Sequence, residues 1–149
     1  MPTIKVEYSL DIHAGADKIW NILTDIQSWP GWQGTSYVKP VDAGPLKEGS
    51  AFTAELGGIK WDLRVTKADK PIRICWTGKK SGIEAVHEWE FREEVGKTRA
   101  VTRESMSGGV LILLYPMIKS RLSNYDYKWL VDLKSKAESS RAHEELGWI

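Results

Sequence analysis

Cysteine is nearly absent. Cys75 is the only one, which excludes an internal disulfide and a cysteine-rich structural zinc site and makes a reducing cytoplasm the expected compartment. An excess of charge of either sign is also missing. The 21 Lys and Arg against 20 Asp and Glu leave a net charge of +1, too balanced for a basic nucleic-acid binder or a polybasic membrane-surface protein. No apolar run approaches the roughly 18–20 residues of a membrane-spanning helix, so no stable membrane insertion is expected. The opening Met-Pro-Thr-Ile-Lys-Val-Glu-Tyr lacks the apolar stretch of a signal peptide. His13 and His143 have no partners at ligand spacing, so no metal is expected. Neither a Walker motif nor a dinucleotide fingerprint occurs, so no cofactor is expected. Phenylalanine is scarce too, with 2 against 5 Tyr, but there are 8 Trp in the 149 residues. At 42% hydrophobic and 28% charged, the composition is that of one ordinary globular domain.

Hydrophobic periodicity organises the chain. Ile4, Val6, Tyr8, Leu10 and Ile12 alternate with Lys5, Glu7, Ser9 and Asp11, the period of a half-buried strand. Residues 17–24 space Ile19, Trp20 and Leu23 as a helix, and a second short helix over 25–32 is closed by Pro30 and Gly31. Gly57-Gly58 predicts a type I′ or II′ hairpin pairing Leu56 with Ile59, Ala54 with Trp61 and Phe52 with Leu63. A one-residue slip would set apolar against polar side chains throughout, so the register is fixed. The next strand, 72–77, places Ile72, Ile74 and Trp76 on one face, and residues 78–82 read as a loop. Ala85, His87, Trp89 and Phe91 then share a face, and Val95-Gly96 turns the chain into the last strand. There Ala100, Thr102, Glu104 and Met106 are assigned inward, because the other register would bury Arg99 and Arg103 without partners. Residues 110–117 form an apolar loop that neither strand nor turn chemistry explains. A long helix starts near Pro116 and runs to about Ser140, with Ile118, Leu122, Tyr125, Trp129, Leu133 and Ala137 on its apolar stripe.

Two candidate features follow from these registers. Trp61, Trp76 and Trp89 lie inward on three strands, where they either line a ligand cavity or fill the core themselves. A two-residue turn at Val95-Gly96 sets His87 directly opposite Glu104, both pointing into an apolar interior. Such a pair serves as a general acid–base couple, as a ligand contact, or as a satisfied structural hydrogen bond.

Six segments in order resemble a known family: Ile-His-Ala-Gly-Ala-Asp-Lys-Ile-Trp-Asn-Ile-Leu-Thr-Asp at 12–25, Trp-Pro-Gly-Trp at 29–32, Lys-Glu-Gly-Ser-Ala-Phe at 47–52, Ile-Cys-Trp-Thr-Gly at 74–78, His-Glu-Trp-Glu-Phe at 87–91 and Lys-Thr-Arg-Ala-Val-Thr-Arg-Glu at 97–104. Together they resemble the START-like (SRPBCC) superfamily and, within it, the polyketide cyclase/dehydrase-like family, over residues 3 to about 138. The resemblance implies an α+β helix-grip fold: a seven-stranded, curved antiparallel sheet around a long C-terminal helix, with two short helices after the first strand. The domain would span 1–140, followed by a tail at 141–149.

A cavity between sheet and helix is part of that expectation. Seven strands at ~4.8 Å make a sheet roughly 30 Å across, and one helix ~10–12 Å wide cannot fill its concavity. The resemblance implies that this space binds a small hydrophobic or amphipathic molecule of lipid-, polyketide- or flavonoid-like kind. The expected contacts are Trp61, Trp76, His87, Trp89, Thr102, Glu104, Leu122, Tyr125 and Trp129, with Trp32, Leu113 and Leu114 at the mouth. The resemblance also places Asp126, with Tyr125 and Trp129, in the half of the long helix that lines the cavity, a solvated carboxylate being the plainer reading of Asp126. The alternatives are a cyclase, aromatase or dehydrase using His87 and Glu104 as its acid–base pair, or a co-chaperone-like interaction module. A monomer or weak homodimer is expected.

Overall fold

The computed structural model describes residues 3–40, 43–109 and 111–146. The chain runs β1 (Thr3–Ile12), α1 (Ala16–Thr24), a 3-10 turn at Ile26–Ser28, α2 (Trp29–Trp32), β2 (Val38–Pro40), β3 (Ala51–Leu56), β4 (Ile59–Asp69), β5 (Arg73–Lys80), β6 (Ile83–Glu94), β7 (Lys97–Ser107) and α3 (Leu111–Leu146). The strands form one antiparallel sheet in the order β1-β7-β6-β5-β4-β3-β2. This is the helix-grip architecture, with α3 held in the concavity of the curved sheet. Among the described residues no helix is long and apolar enough to cross a membrane.

Local sequence dictates most of this. Gly57 and Gly58 both have positive φ (62° and 82°), which makes the β3–β4 turn type I′ and sets the pairs Leu56–Ile59, Ala54–Trp61 and Phe52–Leu63. The β6–β7 pairing places His87 opposite Glu104. Inward Ala85, His87, Trp89, Phe91, Ala100 and Thr102 are all buried. A register shift in β4 between Val65 and Lys67 is the bulge that alternation alone does not show.

Three expectations on the sheet and helix are corrected. Ile72 is not on the buried face: it is 49% exposed, because it belongs to the turn in which its amide bonds to the Asp69 carbonyl and lies beyond the edge of the core. Residues 78–82 are not a loop. β5 continues to Lys80 and only Ser81-Gly82 turns. Gly78 is there because a Cβ would lie 2.8 Å from Leu63 Cδ2, so this glycine marks a close approach rather than a turn. The apolar run after Gly109 is not a loop over the cavity either. α3 starts at Leu111, breaks at Leu114 (φ −122°, ψ 18°) just before Tyr115-Pro116, and continues to Leu146. Pro116 has no N–H for the Ile112 carbonyl and its ring crowds that group, so the ladder breaks there. Leu111 is fully buried against Ile4, Val6 and Leu122, which gives this segment an anchoring role. Val110 lies outside the described residues.

Arg99 and Arg103 face outward, as the cost of burying them requires. Arg103 donates to Glu7 at 2.6 Å and to Glu88 and Glu90 at 2.9 Å. Hydrogen bonds from Arg92 and Arg103 outweigh burial and hold the Glu90 carboxyl at about 2, below its ordinary 4.5. A carboxylate whose pKa falls on folding contributes stability that is present above pH ~4.5 and lost as pH falls toward ~2. Glu90→Gln is therefore expected to cost about 1–2 kcal/mol at pH 7, after allowance for solvent screening. Urea unfolding at pH 7 and pH 3 should show that difference shrinking on acidification. A difference that stays constant with pH contradicts this assignment.

Candidate ligand cavity and its buried carboxyl–imidazole cluster

Aromatic packing decides how much of the concavity stays open. Trp29, Trp76, Trp89, Trp129 and Phe52 are all fully buried and stack edge-to-face or tilted, with centroids 5.2–5.9 Å apart around Trp129. They close one end of the space. The other end holds a cavity of about 200 Å³, lined by residues of β3–β7 and α3. Exposed Gly57, Ile59 and Arg121 mark its open side.

Of the expected contacts, Trp61, Trp76, His87, Glu104, Leu122, Tyr125 and Trp129 line this cavity. Trp89 does not. It is buried between His87, Phe91 and Trp129, so it fills core. Thr102 lies behind His87, with its hydroxyl 2.7 Å from Nε2. Trp32 is half-buried, bonds Ser28 Oγ through its indole N–H and does not line the cavity. Its neighbour Trp29 is a core clip, donating to the Leu23 carbonyl at 2.9 Å. Leu114 is 45% exposed and also off the lining, while the side chain of Leu113 lies outside the described residues. The side that opens is instead formed by the β3–β4 hairpin and by Ile118 and Arg121 of α3.

Asp126 is the main departure. Expected in solvent, it is 1% exposed. Position 126 lies four residues after Leu122 and three before Trp129, so it falls on the buried stripe of α3. That spacing is the signal that points to it. Donor atoms of His87, Glu104 and Asp126 lie within 4.8 Å of one another, with His87 Nδ1 3.5 Å from Glu104 Oε1. The Glu104 side chain keeps 11% of its surface exposed and lines the cavity. Neither Asp126 oxygen accepts a hydrogen bond from any amide, amine or hydroxyl among the described residues; its neighbour is the Glu104 carboxyl.

Burial sets the protonation of this cluster. It pushes His87 down to about 3, so the imidazole is neutral. Burial raises Glu104 well above the ordinary carboxylate range, helped by the charge of Asp126 beside it. Asp126 is raised by burial to about 7, with the Glu104 hydrogen bond opposing the rise. Glu104 therefore carries the proton that the two carboxyls share. Tyr125 faces the cavity as expected, but its hydroxyl accepts a 2.6 Å bond from Gln33 Nε2, a buried partner with no counterpart in the sequence patterns.

The family model for polyketide cyclase / dehydrase and lipid transport proteins matches residues 3–125. The chain belongs to this family. Comparison with curated proteins finds no match. Among solved structures, a hypothetical protein from Helicobacter pylori is similar at a TM-score of 0.76 and 20% identity, over 91% of this chain and 88% of its own. A START superfamily protein from Mycobacterium smegmatis gives 0.72 at 13% identity, over 91% and 97%. The Zhui aromatase/cyclase of a Streptomyces species gives 0.73 at 16% identity, over 92% and 94%. At these identities the likeness is one of fold. For this polyketide cyclase/dehydrase-family chain, what the fold leaves open is the chemistry of its cavity.

Proposed function

We propose that the protein binds a compact hydrophobic or amphipathic molecule in the cavity between sheet and α3. The observation that carries this reading is the space itself: about 200 Å³, apolar on most sides, with polar groups at His87 and Glu104, at Tyr125 and, on the open side, at Arg121. A dry cavity of about 150 Å³ takes up benzene, so the buried part of the ligand is on the order of one or two rings. Its apolar body would lie along Trp61, Leu63, Ile83 and Leu122, and a hydroxyl or carbonyl would meet Glu104. Anything longer would extend past Gly57 and Ile59 into solvent.

Calorimetric titration with single- and double-ring alcohols and phenols tests the reading. Ala85 lines the cavity and is buried, and its replacement by tryptophan fills the space. Ala85→Trp is expected to weaken binding by at least about 100-fold while the circular dichroism spectrum stays native. Equal binding by wild type and Ala85→Trp would overturn the proposal.

A second reading, cyclisation or dehydration of a short polyketide-like chain, is favoured by the carboxyl pair and imidazole at the cavity wall, where a proton donor and acceptor adjoin any bound substrate. Turnover lost in His87→Ala and Glu104→Gln, with binding retained, supports it. Variants that only bind a few-fold more weakly count against it. The interaction-module alternative gains no support from the outer sheet face, where Arg103, Glu7, Glu88 and Glu90 bond one another.

A further inference from the structure

From the convergence of buried Asp126 on the cavity-lining His87 and Glu104, we propose a mononuclear site for a divalent first-row transition metal. It goes beyond the binding of an organic ligand and does not depend on it. The three donors come from three elements, β6, β7 and α3, and their ligating atoms already lie within 4.8 Å of one another. A cation bonding N and O donors at ~2.0–2.2 Å holds them about 3–4 Å apart, so side-chain adjustments of about 1 Å complete the set.

Three independent observations point to a cation. Asp126 is buried, and no amide, amine or hydroxyl among the described residues donates to either of its oxygens; its one partner is the Glu104 carboxyl, and two buried carboxyls side by side cost free energy unless something positive sits against them. No Lys or Arg among the described residues forms an ion pair with Glu104 or Asp126; Arg121, the one cationic side chain on the cavity lining, stands exposed at its open side. The imidazole is also held as a metal ligand is held. Its Nε2 contacts Thr102 Oγ1 at 2.7 Å, which orients the ring and leaves Nδ1 facing the carboxylates. An acceptor behind a ligating histidine fixes its tautomer and ring orientation, and the Thr102 hydroxyl is placed to serve as one.

The donor types choose the metal. One nitrogen and two carboxylates without sulfur suit Zn²⁺, Mn²⁺, Fe²⁺ or Co²⁺, whereas Mg²⁺ and Ca²⁺ prefer all-oxygen sets. Metal binding releases the proton that Glu104 and Asp126 share; the two carboxylates and the neutral imidazole then carry a charge of −2, which one divalent ion cancels. Three protein ligands leave coordination positions free, and the adjacent cavity places a ligand oxygen or water within reach of them. A primary ammonium, whose N–H groups would donate to the carboxyls and to Nδ1, is the competing occupant, and the titration separates the two.

The test is metal titration of the chelator-treated full chain with Zn²⁺, Mn²⁺ and Co²⁺, with Mg²⁺ as reference and no organic ligand present. One equivalent is expected to bind, with a visible Co²⁺ absorption band and a raised Tm that Mg²⁺ does not reproduce. Glu104→Gln and Asp126→Asn should each lower affinity by about 100-fold or more, and Glu90→Gln on the outer face should leave it unchanged. Native circular dichroism spectra of the variants guard against loss of fold. The proposal is overturned by no binding, by binding that the site variants do not weaken, or by a small organic amine raising Tm through these residues where metals do not. Because this readout is the metal alone, its failure leaves the organic-ligand reading standing, and failure of that reading leaves the metal site standing.

Discussion

Truncating Trp129 to alanine is expected to destabilise the protein by about 3–5 kcal/mol, the cost of removing a large buried aromatic and leaving a hole. Trp129 is fully buried on α3 and touches the rings of Trp29, Trp76, His87, Trp89 and Tyr125. It joins the helix to the centre of the sheet. Few other single side chains connect as many elements, so the surroundings cannot collapse to fill the gap without moving the helix. Urea denaturation measures the loss. A cost below about 1 kcal/mol would mean that the indole stands in open space, and that the cavity extends through the aromatic cluster instead of ending at it.

The second large effect has the opposite sign. Asp126→Leu is expected to stabilise the metal-free, ligand-free protein by about 1–3 kcal/mol, because it exchanges a buried carboxyl, whose one partner is a second buried carboxyl at Glu104, for an apolar group of the same branching. For a chain of this length the corresponding rise in Tm is roughly 3–10 °C. Leucine has the branching of aspartate, so the side chain grows no longer. A buried carboxyl that weakens the fold beside a cavity-lining group, Glu104, is what a functional group looks like in energetic terms. If scanning calorimetry instead finds a lower Tm for Asp126→Leu, the carboxyl has a structural partner and the functional assignment of the cluster fails.

The contrast between these two residues also explains what the sequence makes legible. Trp129 and the pairing of His87 with Glu104 follow from simple periodicity: a two-residue turn at Val95-Gly96 fixes one strand against the other, and the glycine pair at 57–58 does the same for β3 and β4. Alternation is a two-state code, and burial of one sheet face makes every slip costly. The same logic fails where a residue obeys two rules at once. Gly78 reads as a turn residue, but it is conformationally ordinary strand, required by the approach of Leu63. Leu111 reads as loop because Pro116 breaks the helix ladder behind it.

Asp126 illustrates the deeper limit. Its helical position is legible from Leu122 and Trp129, yet a carboxylate is assigned to solvent by default because burying one is costly. The structure buries this one all the same, against the Glu104 carboxyl. Likewise, a count of 8 Trp does not say which indoles line the cavity. Trp61, Trp76 and Trp89 share one inward register, but only the first two reach the lining, since Trp89 is covered by Trp129 from the helix. Cross-layer contacts between sheet and helix depend on the helix's rotation, which sequence spacing alone leaves free.

The most direct test of the account is a ¹⁵N–¹H correlation titration of the protein with a single-ring alcohol. The account predicts saturable shifts at the indole N–H groups of Trp61, Trp76 and Trp129 and at the amides of His87 and Glu104, with Glu88 and Arg103 on the outer face unmoved. Shifts that never saturate, or that gather on the outer face of the sheet, would contradict it.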